Sequence, residues 1–222
     1  MKKFKTTIKV TLLSILFLTG YSTFAQDGES EVGIKGGINF SNFHSTDDDV
    51  DDQNLRIGYQ GGLFFKAALT DFLAIQPEVL YTTKGSKYNY DIGPFGDGEI
   101  TQKFGYLEVP VLAVINLGEN FNVHAGPYVA YMLSADVENE ADADAFDFAD
   151  ELDPDDFERF EYGLAVGAGF EFDVIRLGAR YDYGLSNVGK EQSFSFDGSE
   201  VSSDIFENEK NSVFSLYLGL SF

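Results

Sequence analysis

Phe214-Ser215-Leu216-Tyr217-Leu218-Gly219-Leu220-Ser221-Phe222 decides the fold. Every even position carries a large apolar side chain, and the odd positions between them are Ser, Tyr, Gly and Ser. A period of two belongs to a strand, whose successive side chains point to opposite faces. The last nine residues therefore predict a strand with one uniformly apolar face and one small or polar face.

The same pattern recurs upstream. Val32, Ile34, Ile38 and Phe40 alternate with Gly33, Lys35, Gly37 and Asn39. Ile57, Tyr59, Leu63, Phe65 and Ala67 alternate with Gly58, Gln60, Gly62 and Lys66, and Ile75, Val79 and Tyr81 with Gln76, Glu78 and Lys84. Leu107, Val109, Val111 and Ile115 oppose Glu108 and Asn116; Phe121, Val123, Val129 and Tyr131 oppose Asn122, His124 and Tyr128. Phe160 to Phe172 alternates with Glu161, Gly163, Gly167, Gly169 and Glu171, and Ile175 to Leu185 with Arg176, Gly178, Arg180 and Asp182. That predicts eight strands.

A soluble sandwich would also alternate, with its charged face toward water. Here the non-apolar face is rich in Gly, which leaves backbone bare for no benefit in solvent. Gly beside Arg, Lys and Tyr instead makes room inside a narrow barrel, and Tyr and Phe near the strand ends suit the aromatic girdles of a lipid-embedded one. The connections agree. Thr70-Asp71, Gly118-Glu119-Asn120 and Asp173-Val174 are tight, whereas 44–55, 85–103, 134–158 and 187–210 are long. Short periplasmic turns and long outer loops give this asymmetry. The long connections hold 26 of the 37 acids, so the charge belongs to one rim. The expected fold is an all-β, eight-stranded antiparallel up-and-down transmembrane barrel.

The first residues read as an address. Lys2, Lys3, Lys5 and Lys9 precede a short apolar run, Val10–Leu18, and Thr23-Phe24-Ala25 supplies a cleavage site. This predicts a signal peptide over 1–25 and a barrel domain over 26–222. Cleavage makes a chain of net charge −22 more acidic still. That balance argues against nucleic acid, which needs clustered cations. With no Cys, thiolate metal sites and disulfides are excluded. Pro77, Pro110 and Pro127 fall inside strands, where a missing N–H breaks the ladder; they predict a locally bulged patch.

Three further stretches read together: Gly33-Ile34-Lys35-Gly36-Gly37-Ile38-Asn39-Phe40-Ser41, Gln76-Pro77-Glu78-Val79-Leu80-Tyr81-Thr82-Thr83-Lys84-Gly85 and Tyr106-Leu107-Glu108-Val109-Pro110. In this order they resemble the first, third and fourth strands of the PorT-like family of outer-membrane β-barrels, which share the eight-stranded OmpX/OmpA-like architecture. The resemblance implies the outer membrane of a Gram-negative cell and, for the founding member, a role assisting protein secretion.

Inward parity collects Lys35, Arg56, Lys66, Lys84, Arg176 and Arg180 with Glu78, Glu108, Glu161, Glu171 and Asp182. Eight strands make a bore just wide enough for side chains, and buried charges must pair, so these residues predict a salt-bridged plug; an ion or proton path is the rival reading. His124 points inward with no Gly-x-Ser-x-Gly in the sequence, so no catalytic constellation is expected. Asp47-Asp48-Asp49-Val50-Asp51-Asp52 begins like an EF-hand loop, but lacks the turn Gly and the twelfth-position Glu. No metal or cofactor is expected. The acidic stretch 135–158, with Phe146, Phe148 and Phe157, reads as a solvated loop or as a cation-bridged, partner-binding surface. Phe222, terminal and apolar-facing, is the expected assembly signal.

The sequence thus predicts a structural or interaction protein of the envelope, accessory to secretion or adhesion, with a narrow pore for ions or small solutes as the alternative. Expected partners are outer-membrane lipids and lipopolysaccharide, the barrel-assembly machinery, and an envelope protein of unknown identity.

Overall fold

The computed structural model describes residues 30–44, 53–91, 97–141, 148–152, 157–189, 192–196, 199–203 and 209–222. The expected signal peptide, the Asp47–Asp52 run and Phe146 lie outside them.

Eight long strands form the wall: β1 (Glu31–His44), β3 (Arg56–Ala68), β4 (Leu73–Asp91), β5 (Asp97–Asn116), β6 (Phe121–Ala141), β8 (Phe160–Phe172), β9 (Ile175–Gly184) and β12 (Lys210–Ser221). Each pairs antiparallel with the next. The sheet closes where β1 meets β12, in register from Gly33↔Ser221 to His44↔Lys210. Among the described residues the barrel wall itself has no free edge, which is how a sheet satisfies its backbone in lipid. The short β2 (Gln53–Asn54), β7 (Phe148–Leu152), β10 (Gln192–Phe196) and β11 (Ser199–Ser203) belong to the connections.

The apolar parity faces outward. On β12, Leu216 and Leu218 are exposed while Ser215 is fully buried. Tyr59, Tyr81, Tyr131, Phe160, Tyr162, Tyr181 and Tyr183 are exposed toward the ends carrying the long connections. Phe72, Phe170, Phe172 and Phe222 are exposed at the turn end. Between them lie Ile34, Leu63, Val111, Leu164, Val166, Leu177, Leu216 and Leu218. Two aromatic belts about a tilted strand's span of 9–11 residues apart, with aliphatics between, match the apolar band of a membrane barrel.

The turn end is tight. Leu69 N donates to Leu73 O at 2.8 Å, and Leu73 N to Thr70 Oγ1 at 3.1 Å. Gly118 takes a φ of 91° and Asp173 one of 53°, the left-handed geometry that lets a chain reverse within a few residues.

Two sequence expectations need correction. The prolines make no bulge. Pairing lapses between Phe64↔Glu78 and Ala67↔Ile75, between Pro77↔Val111 and Leu80↔Glu108, and between Pro110↔Tyr128 and Ala113↔Ala125. The register is the same on both sides of each gap, so each proline drops hydrogen bonds to the preceding strand without adding a residue. The register shift falls instead between Gly105 and Tyr106. Nor are the outer connections plain loops. β4 and β5 pair continuously up to Asp91↔Asp97, and β6 continues to Ala141, where β7 adds to its edge. With β2 on β4, this makes a sheet standing above one side of the barrel.

Candidate functional site: the lumen

Inward-facing side chains fill the bore in layers. At the outer mouth the filling is apolar. Phe43 and Phe104 lie 6.1 Å apart, and Phe157 packs edge-on to Phe104 at 5.2 Å. Val188 is buried in the same cluster, with Tyr88 against it. Tyr88 Oη donates to Glu209 Oε1 at 2.9 Å; burial first, and then that carboxylate, push the phenol above its ordinary range.

Below this cap lies a continuous chain of charge. Glu161 on β8 accepts from Lys84 Nζ at 2.8 Å, from Tyr128 Oη at 2.7 Å and from Asn211 Nδ2 at 2.7 Å. Lys84 continues to Glu108 at 2.7 Å. Arg180 joins Glu108 at 3.5 Å, Asp182 at 3.1 Å and Glu78 at 2.8 Å, and donates to Gln60 Oε1 at 3.2 Å. Glu78 closes on Lys35 at 3.0 Å. Five strands supply these ions, and all seven are buried. Aromatic faces complete the shell: Lys84 Nζ lies 4.6 Å from the Tyr128 ring centroid and 5.2 Å from that of Tyr106, and Lys35 Nζ lies 3.8 Å from that of Tyr217.

Glycines opposite make the room. A Cβ on Gly163 would collide with the Tyr128 ring and Tyr183 O, and one on Gly33 with the Phe64 ring.

Toward the turn end a second group forms. Lys66 Nζ lies 2.8 Å from both Glu171 oxygens, and Asn122 Nδ2 donates to Glu171 Oε1 at 2.9 Å. Arg176 lies 3.8 Å from Glu171 and pairs with Glu31. A polar vestibule of about 410 Å³ opens there, lined by Lys66, Asp71, Asn116, Glu119, Asn120 and Glu171.

Of the eleven charged residues read from parity, the structure links seven in the central chain and Lys66, Glu171 and Arg176 in the second group. Arg56 stands apart. It faces inward and is buried, but at the outer end of β3, paired with Ser41, and among the described residues no carboxylate lies within ion-pair distance of it. Parity gives a side chain's direction and not its depth, and depth separates Arg56 from the network. Gln60, Asn122, Tyr128 and Tyr217 share the inward parity but carry no charge, so a search for charge passes over them, and Glu31, Tyr106 and Asn211 lie just outside the alternating stretches. Among the described residues no group of three His, Asp or Glu side chains could hold a metal ion.

A family model, outer membrane protein beta-barrel domain, matches residues 24–189, well over half of the chain. The chain belongs to the outer membrane protein beta-barrel domain family. Its residence in the outer membrane follows, with the turns in the periplasm and the long connections outside. Solved structures with similar folds include Ail, the attachment invasion locus protein of Yersinia pestis, in complex with the heparin analogue sucrose octasulfate: 15% identity, TM-score 0.44, covering 88% of this chain and 100% of that one. Neisserial surface protein A aligns at 12% identity and TM-score 0.48, covering 88% and 100%. OprG from Pseudomonas aeruginosa aligns at 14% and 0.42, covering 88% and 97%. No curated protein matches the sequence.

Proposed function

We propose that this outer-membrane barrel is a sealed anchor whose work is done on its outer face. It acts as a structural or interaction protein of the envelope, accessory to secretion or adhesion. The observation that carries this reading is the lumen filling. A chain of paired, buried ions from Lys35 to Glu161, capped by Phe43, Phe104 and Phe157, leaves little room for a solute. The sheet of β2, β4, β5, β6 and β7 supplies the surface for an envelope protein, and the acidic connections supply sites for divalent bridges to lipopolysaccharide. The motifs around Gly33–Ser41, Gln76–Gly85 and Tyr106–Pro110 support a PorT-like place within the family.

A narrow pore for ions or small solutes is the second reading, favoured by the polar vestibule at the periplasmic mouth. Photo-crosslinking in intact cells tests the first. Probes at Leu55 and Glu138, both exposed on the outer sheet or beside it, should give one discrete adduct with an envelope component. Absence of any adduct, together with solute uptake by liposomes carrying the protein, would favour the pore.

A further inference from the structure

Between the periplasmic vestibule and the central ion chain lies a second, smaller cavity of about 20 Å³, lined by Lys35, Gln76, Asn122, His124, Glu171 and Tyr217 among others. Glu171 borders both spaces, so the two adjoin. His124 is 5% exposed, and its two ring nitrogens are unlike. Nδ1 lies 3.1 Å from Asn122 Oδ1, and Asn122 Nδ2 donates to Glu171 Oε1 at 2.9 Å. With the amide nitrogen committed to the carboxylate, the amide oxygen must accept, so the imidazole proton sits on Nδ1 and Nε2 is left as an acceptor. Nε2 has no hydrogen-bond partner among the described residues. A buried acceptor left bare is destabilising, and a cavity of this size, with several polar walls, holds about one water.

We propose that the lumen is a one-sided pocket. A water-sized hydrogen-bond donor enters from the periplasm past Lys66 and Glu171, ends on His124 Nε2, and goes no farther. The blocks above it are the Lys35–Glu78–Arg180 ion pairs and then the aromatic cap. The upper half of this inference rests on the sealed-lumen reading; the lower half stands on the cavity alone.

The sequence has no cysteine, so single thiols report without background. His124→Cys, Gln76→Cys and Thr82→Cys are each reconstituted in vesicles, and silver ion, a water-sized thiol reagent, is added on one side. Thr82 is buried on β4 between Glu78 and Lys84, beside Asn39. Leu55→Cys and Glu119→Cys report which mouth faces the reagent. Thiols blocked by silver are read as lost maleimide labelling after unfolding. The expected result is loss at position 124 or 76 from the Glu119 side only, and none at 82 from either side. Intact labelling at both 124 and 76 would overturn the pocket. Loss at 82 would overturn the seal while leaving the periplasmic pocket in place. Position 76 keeps the test decisive if the histidine variant fails to fold.

Discussion

Arg180 holds Glu78, Glu108, Asp182 and Gln60 together from the middle of β9, with no solvent to relieve any of them. Removing one member of a buried ion pair typically costs about 3–5 kcal/mol, because the remaining charges lose their compensation. Arg180→Ala should therefore lower the unfolding free energy of the detergent-solubilised barrel, read from its urea midpoint and slope, by an amount in that range, and Glu108→Ala should act similarly. Asp71→Asn, in an exposed periplasmic turn, should leave the midpoint unchanged. Glycine substitutions separate crowding from backbone freedom. Gly163→Ala drives a methyl into the Tyr128 ring and the Tyr183 carbonyl, whereas Gly36→Ala meets nothing closer than 3.7 Å on the lipid face. The first should destabilise by about 1–3 kcal/mol, as overpacking does, and the second should be neutral in the same unfolding assay.

At the scale of elements, β12 closes the barrel with its last residues. Ser221 N donates to Val174 O at 2.9 Å and Phe222 N to Val32 O at 2.7 Å, and Phe222 is 77% exposed. Deleting Ser221-Phe222 removes both bonds and an exposed aromatic of the closing strand, and should abolish insertion, read as outer-membrane yield; equal yield would refute the assembly-signal role. The outer extension should be dispensable by contrast. Tyr88 and Ile100 are directly opposite in β4 and β5, so Asn-Gly in place of residues 89–99 makes a two-residue hairpin. That variant should insert and unfold like the parent, since Lys84 and Glu108 lie below the cut. The wall strands were legible because lipid on one side and packed ions on the other impose different chemistry on alternate residues. The extension was not. Lys87, Thr101, Gln102 and Lys103 stand above the membrane, where neither face must be apolar, so no period survives in the sequence. The prolines misled for a related reason: a proline signals a lost hydrogen bond, but register is set by the neighbours on both sides, and those never slip. The lumen residues were legible in direction and not in depth, which is why Arg56 was grouped with ions that it does not meet.

At the scale of the molecule, the barrel is unequal along its axis: aromatic at the outer mouth, ionic at the centre, and open and polar at the periplasmic mouth. A bore of eight strands leaves just enough space for such a filling. The central claim is that this filling closes the lumen, and planar-bilayer recording of the parent beside Arg180→Ala tests it most directly. The parent should be electrically silent, and Arg180→Ala, with the ion chain cut, should open measurable conductance. A parent that conducts steadily, with Arg180→Ala changing only ion selectivity, would contradict the seal and make the protein a small pore.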